Sequence, residues 1–450
     1  MAGGETNLEP AIASWWTGFK DPQLDALLER AAKANLDLRI AGARVREARA
    51  LYRIEASRLW PTVDAAGAYA RQNQSKHQPI LGDLPIPSNV PFENNVYQAG
   101  FDASWEIDVF GGTRRAVEAG KAEVAAAEFG RRNVLVTLLG EVARNYVETR
   151  GFQRRLEIAK KNLKTQEDAL AITQDRFKNG LTSDLDVQQA ATLLAATRSV
   201  IPLLETGIEA SIYRLDVLLG QTPGTLMAEL SQPAPIPGIP PQVPVGLPSD
   251  LLRRRPDVQQ AERQLAASTA RIGVAKADLF PKFSLTGVAG IESTSATDWF
   301  DGNSRFWQVG PTVQWRIFDA GRIRANVRVQ NARQEQALAA YEKTVLTSFE
   351  EVEKSLVAYA KEQIRRRSLE DAVKSSRDSL HLANQLYSNG LVSFINVLDA
   401  ERSVYLAEDA LVDSDKIVTQ NLISLYKALG GGWETLEPPS QLAQAKTSAR

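Results

Sequence analysis

The chain has no cysteine, only two histidines and no long apolar run, and each absence removes a class of function. Without cysteine there is no disulfide, no thiolate metal site and no cysteine nucleophile. His77 and His381 lie far apart in sequence, which excludes zinc chemistry and leaves both as ordinary surface or packed residues. No segment approaches the roughly 20 consecutive apolar residues of a membrane-spanning helix. The start, Met1-Ala2-Gly3-Gly4, lacks the basic then apolar stretches of a signal peptide. Net charge is also missing: 53 Lys and Arg face 54 Asp and Glu, so no basic field exists to hold nucleic acid. No phosphate loop, metal-ligand spacing or clustered nucleophile occurs, so the expectation is a non-enzyme without cofactor or metal.

What remains is a chain of 450 residues, 44 % hydrophobic and 24 % charged, the composition of a folded, water-exposed protein. Its organising feature is an internal repeat. Residues 105–190 match 315–400 at an offset of 210, with FKNGLTS from Phe177 on YSNGLVS from Tyr387, Gly111 on Gly321 and Glu141-Val142 on Glu351-Val352. Upstream the offset is 220, placing Leu59-Trp60-Pro61 on Leu279-Phe280-Pro281 and Leu36 on Pro256. Each half reads helix, strand, strand, very long helix, tight turn, helix. Between them, residues 231–248 carry seven prolines, a density that fits neither helix interior nor central strand. Beyond Gly430-Gly431-Gly432 the tail turns polar, with Pro438-Pro439, and its last dozen residues are expected to be mobile.

Four segments alternate with period two. Tyr97, Ala99, Phe101, Ala103, Trp105, Ile107 and Val109 alternate with Gln98, Gly100, Asp102, Ser104, Glu106 and Asp108. Trp307, Val309, Pro311, Val313, Trp315 and Ile317 do the same in the second half, and weaker patterns run through Val63–Tyr69 and Phe283–Ile291. A half-buried soluble sheet shares this alternation. The polar opposite face, suited to a water-filled lumen, and flanking helices too long to fold back as a cover favour transmembrane strands of about 10 residues. Four strands cannot close, and an open edge in hydrocarbon leaves backbone groups unpaired. Two copies give eight strands, whose side chains nearly fill the interior; three give twelve and an open passage. Residues 71–95 and 294–304 are then outer loops.

From Thr113 to Lys178 and from Arg322 to Ser388 no proline interrupts residues that favour helix, predicting two helices of roughly 65 residues, about 100 Å each. Shorter partners are expected from Leu24 to Leu59, Asp184 to Leu219, Pro256 to Leu279 and Phe394 to Leu429. Asp250 and Arg255-Pro256-Asp257 fit a helix start, Trp60-Pro61 and Phe280-Pro281 fit helix stops, and Pro202 predicts a kink. A structural or adaptor coiled-coil protein would have such helices, but not the paired strands.

The run LLRRRPDVQQAERQLAASTARIGVAKADLFPKFSLTG from Leu251, with DPQLDALL from Asp21, WEIDVFGG from Trp105, FDAGRIRANV from Phe318 and INVLDAERSVYLAEDAL from Ile395, resembles the TolC-like outer-membrane efflux proteins, in their OprM-like (NodT) lipoprotein branch. The resemblance spans nearly the whole chain. It implies a mixed α and β membrane protein: a homotrimer with a 12-stranded transmembrane β-barrel, four strands per chain, continued by a periplasmic α-helical barrel. Strands and outer loops would occupy 61–110 and 281–318, the helical barrel 21–60, 112–219, 250–280 and 320–430, and equatorial or terminal segments 1–20, 220–249 and 431–450. It further implies a passive exit duct in the bacterial outer membrane for drugs or other small molecules, with a periplasmic adaptor and an inner-membrane pump of RND type as partners. A secretion duct of the same fold is the alternative. The branch's lipid-modified cysteine has no counterpart here.

Candidate residues follow. Gly180, Leu181, Thr182, Ser183 and Gly390, Leu391, Val392, Ser393 form the turns after the long helices, where glycine supplies the left-handed conformation that ends a helix. They are helical hairpin turns on structure alone; the family makes them the adaptor surface. Ile395, Asn396 and Asp399 lie one turn apart on a helix face, and an aspartate there also favours the helix dipole. The resemblance assigns Ile395 to an apolar and Asp399 to an acidic constriction ring of the periplasmic gate. Asn396 stands where some relatives carry a second aspartate, Asp186 is a candidate for the missing charge, and Tyr387 and Arg402 are gate-side partners. Tyr97, Phe101, Trp105, Ile107, Trp307, Val309, Val313 and Trp315 are expected to face lipid.

Overall fold

A computed structural model describes residues 13–73, 75, 93–238 and 254–436. A buried 3-10 turn (Trp15–Phe19) precedes α1 (Pro22–Ala34), α2 (Leu36–Ser57), β1 (Thr62–Asn73), β2 (Glu93–Ile107), α3 (Gly112–Lys178), α4 (Asp184–Leu218) and the short α5 (Met227–Leu230). The order then recurs as α6 (Pro256–Ala277), β3 (Lys282–Ser293), β4 (Arg305–Gln314), α7 (Arg322–Ser388) and α8 (Phe394–Ala428), followed by α9 (Trp433–Leu436). The expected long helices are present at 67 residues each, and their return helices have 35 each; α4 continues through Pro202. Most of the 71–95 loop, the linker from residue 239, the helix start at Asp250 and the tail from residue 437 lie outside the described residues.

The chain divides into two compact units. One comprises Met1–Arg44, Glu128–Gln260 and Glu342–Arg450, the other Val45–Ala127 and Ala261–Tyr341. In the first, the core gathers Trp15, Trp16 and Phe19 with Leu24, Leu27 and Leu28 of α1, Leu135, Leu139 and Tyr146 of α3, Ile212 and Leu215 of α4, and Leu422 and Tyr426 of α8. Trp15 stacks on Tyr426 with ring centroids 5.4 Å apart. Asp21 holds this end in register: its Oδ1 caps α1 by accepting the Gln23 and Leu24 amides at 3.0 and 3.1 Å, and its Oδ2 accepts the Tyr146 hydroxyl at 2.8 Å. Burial pushes the Tyr146 hydroxyl up to about 12, so it stays a donor.

The single helix expected from Leu24 to Leu59 is two. Asn35 breaks it with an extended backbone (φ −60°, ψ 134°). Its buried side chain accepts the Leu38 amide at 2.9 Å, capping α2, and donates to the Leu218 carbonyl at the end of α4 at 2.9 Å. Asparagine competes with the helical backbone for such bonds, and the long-range partner decides the competition. The contact recurs 220 and 210 residues on: Arg255 Nη1 donates to the Ala428 carbonyl, at the end of α8, at 3.0 Å. Arg255 is buried and is also held by Asp257 Oδ2 and Glu351 Oε2, both at 2.7 Å, which raises its pKa against the opposing effect of burial. This is the local reason for the Arg255-Pro256-Asp257 sequence.

In the second unit the strands form one antiparallel sheet in the order β1-β2-β3-β4. Strand limits differ from expectation at both ends: residues 71–73 and 93–95 are strand, whereas 108–109 and 315–317 are not. Trp315 therefore lies just past β4 rather than on it. β4 pairs with β3 only up to Gln314 opposite Lys282, because the preceding Pro281 has no amide to continue the ladder. The Trp315 indole instead donates to the Leu279 carbonyl at 3.2 Å, as the Trp105 indole does to Leu59 at 3.0 Å.

Candidate functional site

The sheet's register brings all four apolar sets to one face. Directly opposed residues of an antiparallel pair share a face, and Ala65 stands opposite Phe101, Phe101 opposite Ala289 and Ala289 opposite Trp307. Val63, Tyr69, Tyr97, Trp105, Ile107, Leu285, Val309 and Val313 join them by the same pairing. This face is bare: Phe101 is 62 % exposed and Trp307 76 %. The opposite face carries Asp64 directly across from Asp102, then Gln98, Glu106, Ser284, Thr286, Gln308 and Thr312. Phe306 departs from the pattern. It sits opposite Gly290, where a Cβ would stand 3.0 Å from its ring, and Gly290 in turn opposes Gly100, whose own Cβ would stand 2.8 Å from the Ala289 carbonyl.

Aromatic rings gather at the two ends of the sheet. Tyr69 and Tyr97 lie 4.9 Å apart, with Trp299 and Phe300 beyond them; Phe110 and Phe280 stack at 4.6 Å near Phe283 at the other end. From Tyr97 to Trp105 is about 26 Å of strand, close to the height of an outer-membrane apolar band. Among the described residues the outer edges of β1 and β4 pair with nothing.

The hairpin turns lie in the first unit and share one backbone. Gly180 (φ +71°) and Gly390 (φ +69°) are left-handed with open space around a would-be Cβ, so glycine is needed there for its backbone rather than for room. Leu181 N donates to Arg176 O and Leu391 N to Leu386 O, at 2.8 and 2.9 Å, the six-to-one bond of the Schellman motif. Leu181 and Leu391 are then thrown outward, 68 % and 69 % exposed. Ser183 and Ser393 take the N-cap positions of α4 and α8.

Chemistry separates the two turns. Asp186 closes a capping box: its carboxylate accepts from Ser183 N at 3.3 Å, Ser183 Oγ at 3.1 Å and the Thr182 hydroxyl. The Thr182 bond foremost holds its pKa below the ordinary value. Asp186 is thus engaged locally. Its counterpart Asn396 turns its amide back onto Ser393 O at 3.2 Å.

On α8 the buried row is Phe394, Val397, Leu398, Glu401 and Val404. Ile395, Asp399, Arg402 and Leu406 form the opposite, exposed row, spaced as one helix stripe. Ile395 and Asp399 thus share a face, as expected. Arg402 makes no hydrogen bond or ion pair with another described residue, whereas Tyr387 does make contacts to other helices. Its ring packs on Phe394 at 5.1 Å and lies 4.8 Å beneath the Arg176 guanidinium of α3, a cation–π contact between the two hairpins. Arg176 and Phe394 were not singled out from sequence. Glu401 was also missed, although one acid in an otherwise apolar row of period 3.5 is a legible signal. Among the described residues no group of three or more potential metal ligands occurs, and no helix is long and apolar enough to cross a membrane.

Comparison with known proteins gives one answer. The family model described as outer membrane efflux protein matches residues 27–221 and 247–431. The solvent efflux pump outer membrane protein SrpC of Pseudomonas putida is 34 % identical over 434 residues, covering 96 % of this chain and 90 % of that protein. The pyoverdine export outer membrane protein OpmQ of Pseudomonas aeruginosa is 33 % identical, covering 97 % and 90 %. Among solved structures, the outer-membrane channel OprN superposes with a TM-score of 0.88 at 37 % identity, covering 94 % of this chain and 93 % of that one.

Proposed function

Since this chain belongs to the outer membrane efflux protein family, and is an outer-membrane exit channel of tripartite efflux rather than an enzyme, working with inner-membrane pump components, we propose how it forms and shuts its passage. Three copies join edge to edge, β4 of one to β1 of the next, into a 12-stranded barrel with the apolar face toward lipid and the Asp64, Asp102 and Glu106 face toward water. The carrying observation is the sheet itself: among the described residues, four strands, two free edges and all four apolar sets on one exposed face. Such edges are untenable in hydrocarbon, where each unpaired backbone group costs several kcal/mol, and closure removes them. Exposed apolar stripes on α4 (Leu185, Leu203, Val217) and α7 (Leu346, Val357, Ile364, Leu382) supply surfaces for neighbouring copies among the helices. The recurrence of the Asn35 and Arg255 contacts, and of the Trp105 and Trp315 contacts, supports descent of the two halves from one duplicated unit.

The hairpin turns are the shut end. Asp399 and Ile395 face the bore as acidic and apolar rings, Arg402 lies one turn on, and the Arg176–Tyr387 contact ties the hairpins together. Three carboxylates across a narrow bore repel unless cations intervene, which gives a cation-preferring channel. The outward Leu181 and Leu391, with Thr182, Ser183, Val392 and Ser393, receive a periplasmic adaptor, and the pump is of RND type. Single-channel recording of purified protein in a planar bilayer is the test: small cation-preferring currents that grow in Asp399→Ala are expected, and equal currents in both would place the constriction elsewhere.

A further inference from the structure

Glu401 is a carboxylate with no stated role, buried in the apolar row of α8 at 8 % exposure, and its Oε2 has no hydrogen-bond partner. Gln166 of α3 is in the same condition, 4 % exposed with its Oε1 unpaired. The antiparallel register of α3 and α8 brings them to one level. Gln420 donates to Glu148, Lys416 lies over the Phe152 ring and Arg155 pairs with Asp409. Counted toward the tip from each of these pairs, Gln166 falls opposite residues 398–402, the turn that holds Glu401. Two buried acceptor oxygens share one stretch of the seam between the hairpins, and an unpaired buried polar atom is costly.

We propose that Glu401 and Gln166 form a proton-dependent latch across this seam: the protonated carboxyl donates to the Gln166 carboxamide oxygen and holds the hairpins together, and ionisation releases them. A proton on Glu401 turns its carboxyl into a donor for the unpaired Gln166 Oε1. The proposal rests on the reading of the hairpin tips as the shut end of the duct. Burial alone shifts Glu401, raising its pKa from 4.5 to about 7. The charged residues level with it on the packed helices, Lys164, Glu167 and Asp168 on α3, Arg198 on α4, and Lys374, Arg377, Asp378 and His381 on α7, are all solvent-exposed. Glu167 pairs with Arg198, and Arg377 with Glu408 of α8; on α8 itself, Asp399 and Arg402 occupy the opposite face.

The sign follows from linkage. A carboxyl whose folded pKa is raised stabilises the folded arrangement fully below the unfolded value, and that stabilisation is lost as pH rises through the folded value. The window is thus pH 4.5 to about 7. Amide hydrogen exchange of the whole protein, corrected for the intrinsic effect of pH, reads the latch without relying on conduction. Exchange around residues 172–180 and 390–402 is expected to speed by up to roughly tenfold per pH unit within that window, then level off. Glu401→Gln, an uncharged mimic, should abolish the step, and Gln166→Leu should move its midpoint to lower pH by removing the acceptor. A step that persists in Glu401→Gln, a midpoint that moves to higher pH in Gln166→Leu, or no step in the wild type would each overturn the latch. If the exchange step occurs while bilayer currents ignore pH, the latch stands and the reading of the tips as the conducting gate fails.

Discussion

The two halves of the chain reach the same backbone by different side chains, and where they differ is informative. At the junction near the core the task is shared: Asn35 in the first half and Arg255 in the second each donate to the last carbonyl of the return helix, Leu218 or Ala428. At the tips the task has diverged. The first turn is flanked by Asp175, Arg176, Lys178, Asp184 and Asp186, whereas no charged residue occurs from Leu382 to Leu398. The glycine-ended turn is set by backbone geometry and tolerates either chemistry. The charge pattern is free to specialise, and the first exposed charge after the neutral tip is Asp399.

Matched substitutions in the two halves would break or sharpen this contrast. The largest difference is expected at the proposed ring: Asp399→Ala should raise bilayer current by roughly tenfold, the equivalent of removing about 1.4 kcal/mol from the closed state, while Gln189→Ala, its counterpart on α4, should leave it unchanged. Equal effects would mean that both halves line the constriction alike.

Next in size is the junction. Arg255→Ala strands Asp257 and Glu351 and should cost about 3 kcal/mol, at the lower end for a buried pair because Glu351 is half exposed. Asn35→Ala, which loses neutral bonds, should cost about 1 to 2 kcal/mol. Amide protection at the ends of α8 and α4 measures each locally; the reverse order would show that the charge contributes little.

A smaller contrast concerns the caps. The lowered pKa of Asp186 means that its contribution is present above 3.8 and is lost as pH falls through its folded value. Protection at the start of α4 should therefore drop below pH 3.8, whereas the start of α8, with Asn396, should lose none in that range. The smallest contrast is none at all: Gly180→Ala and Gly390→Ala should each cost about 1 kcal/mol, the penalty for a side chain in the left-handed region, measurable as equal fraying of α3 and α7.

Much of this was legible in the sequence. The strand alternation fixed which residues share a face, and the register then brought Val63, Phe101, Ala289 and Trp307 together as anticipated. The lengths of α3 and α7 followed from unbroken helix formers and the absence of proline. The break at Asn35 was not legible, because its decisive partner, Leu218 O, lies 183 residues away. Nor was the end of β4, which depends on where its neighbour begins. At the tips, Ile395 and Asp399 fell on one exposed stripe as expected. Asp186, Asn396 and Tyr387 were drawn into caps and packing that only neighbouring residues reveal.

The sequence by itself determined the periodicities, the turn glycines, the halves and the family, because these depend on residues a few positions apart or on matches carried along the chain. The tertiary structure alone decided which polar groups are satisfied. Asp21 and Arg255 find partners, whereas Glu401 and Gln166 are each buried with an oxygen unpaired. Burial and hydrogen bonding are set by distant segments brought within about 3 Å, a separation that no local pattern encodes.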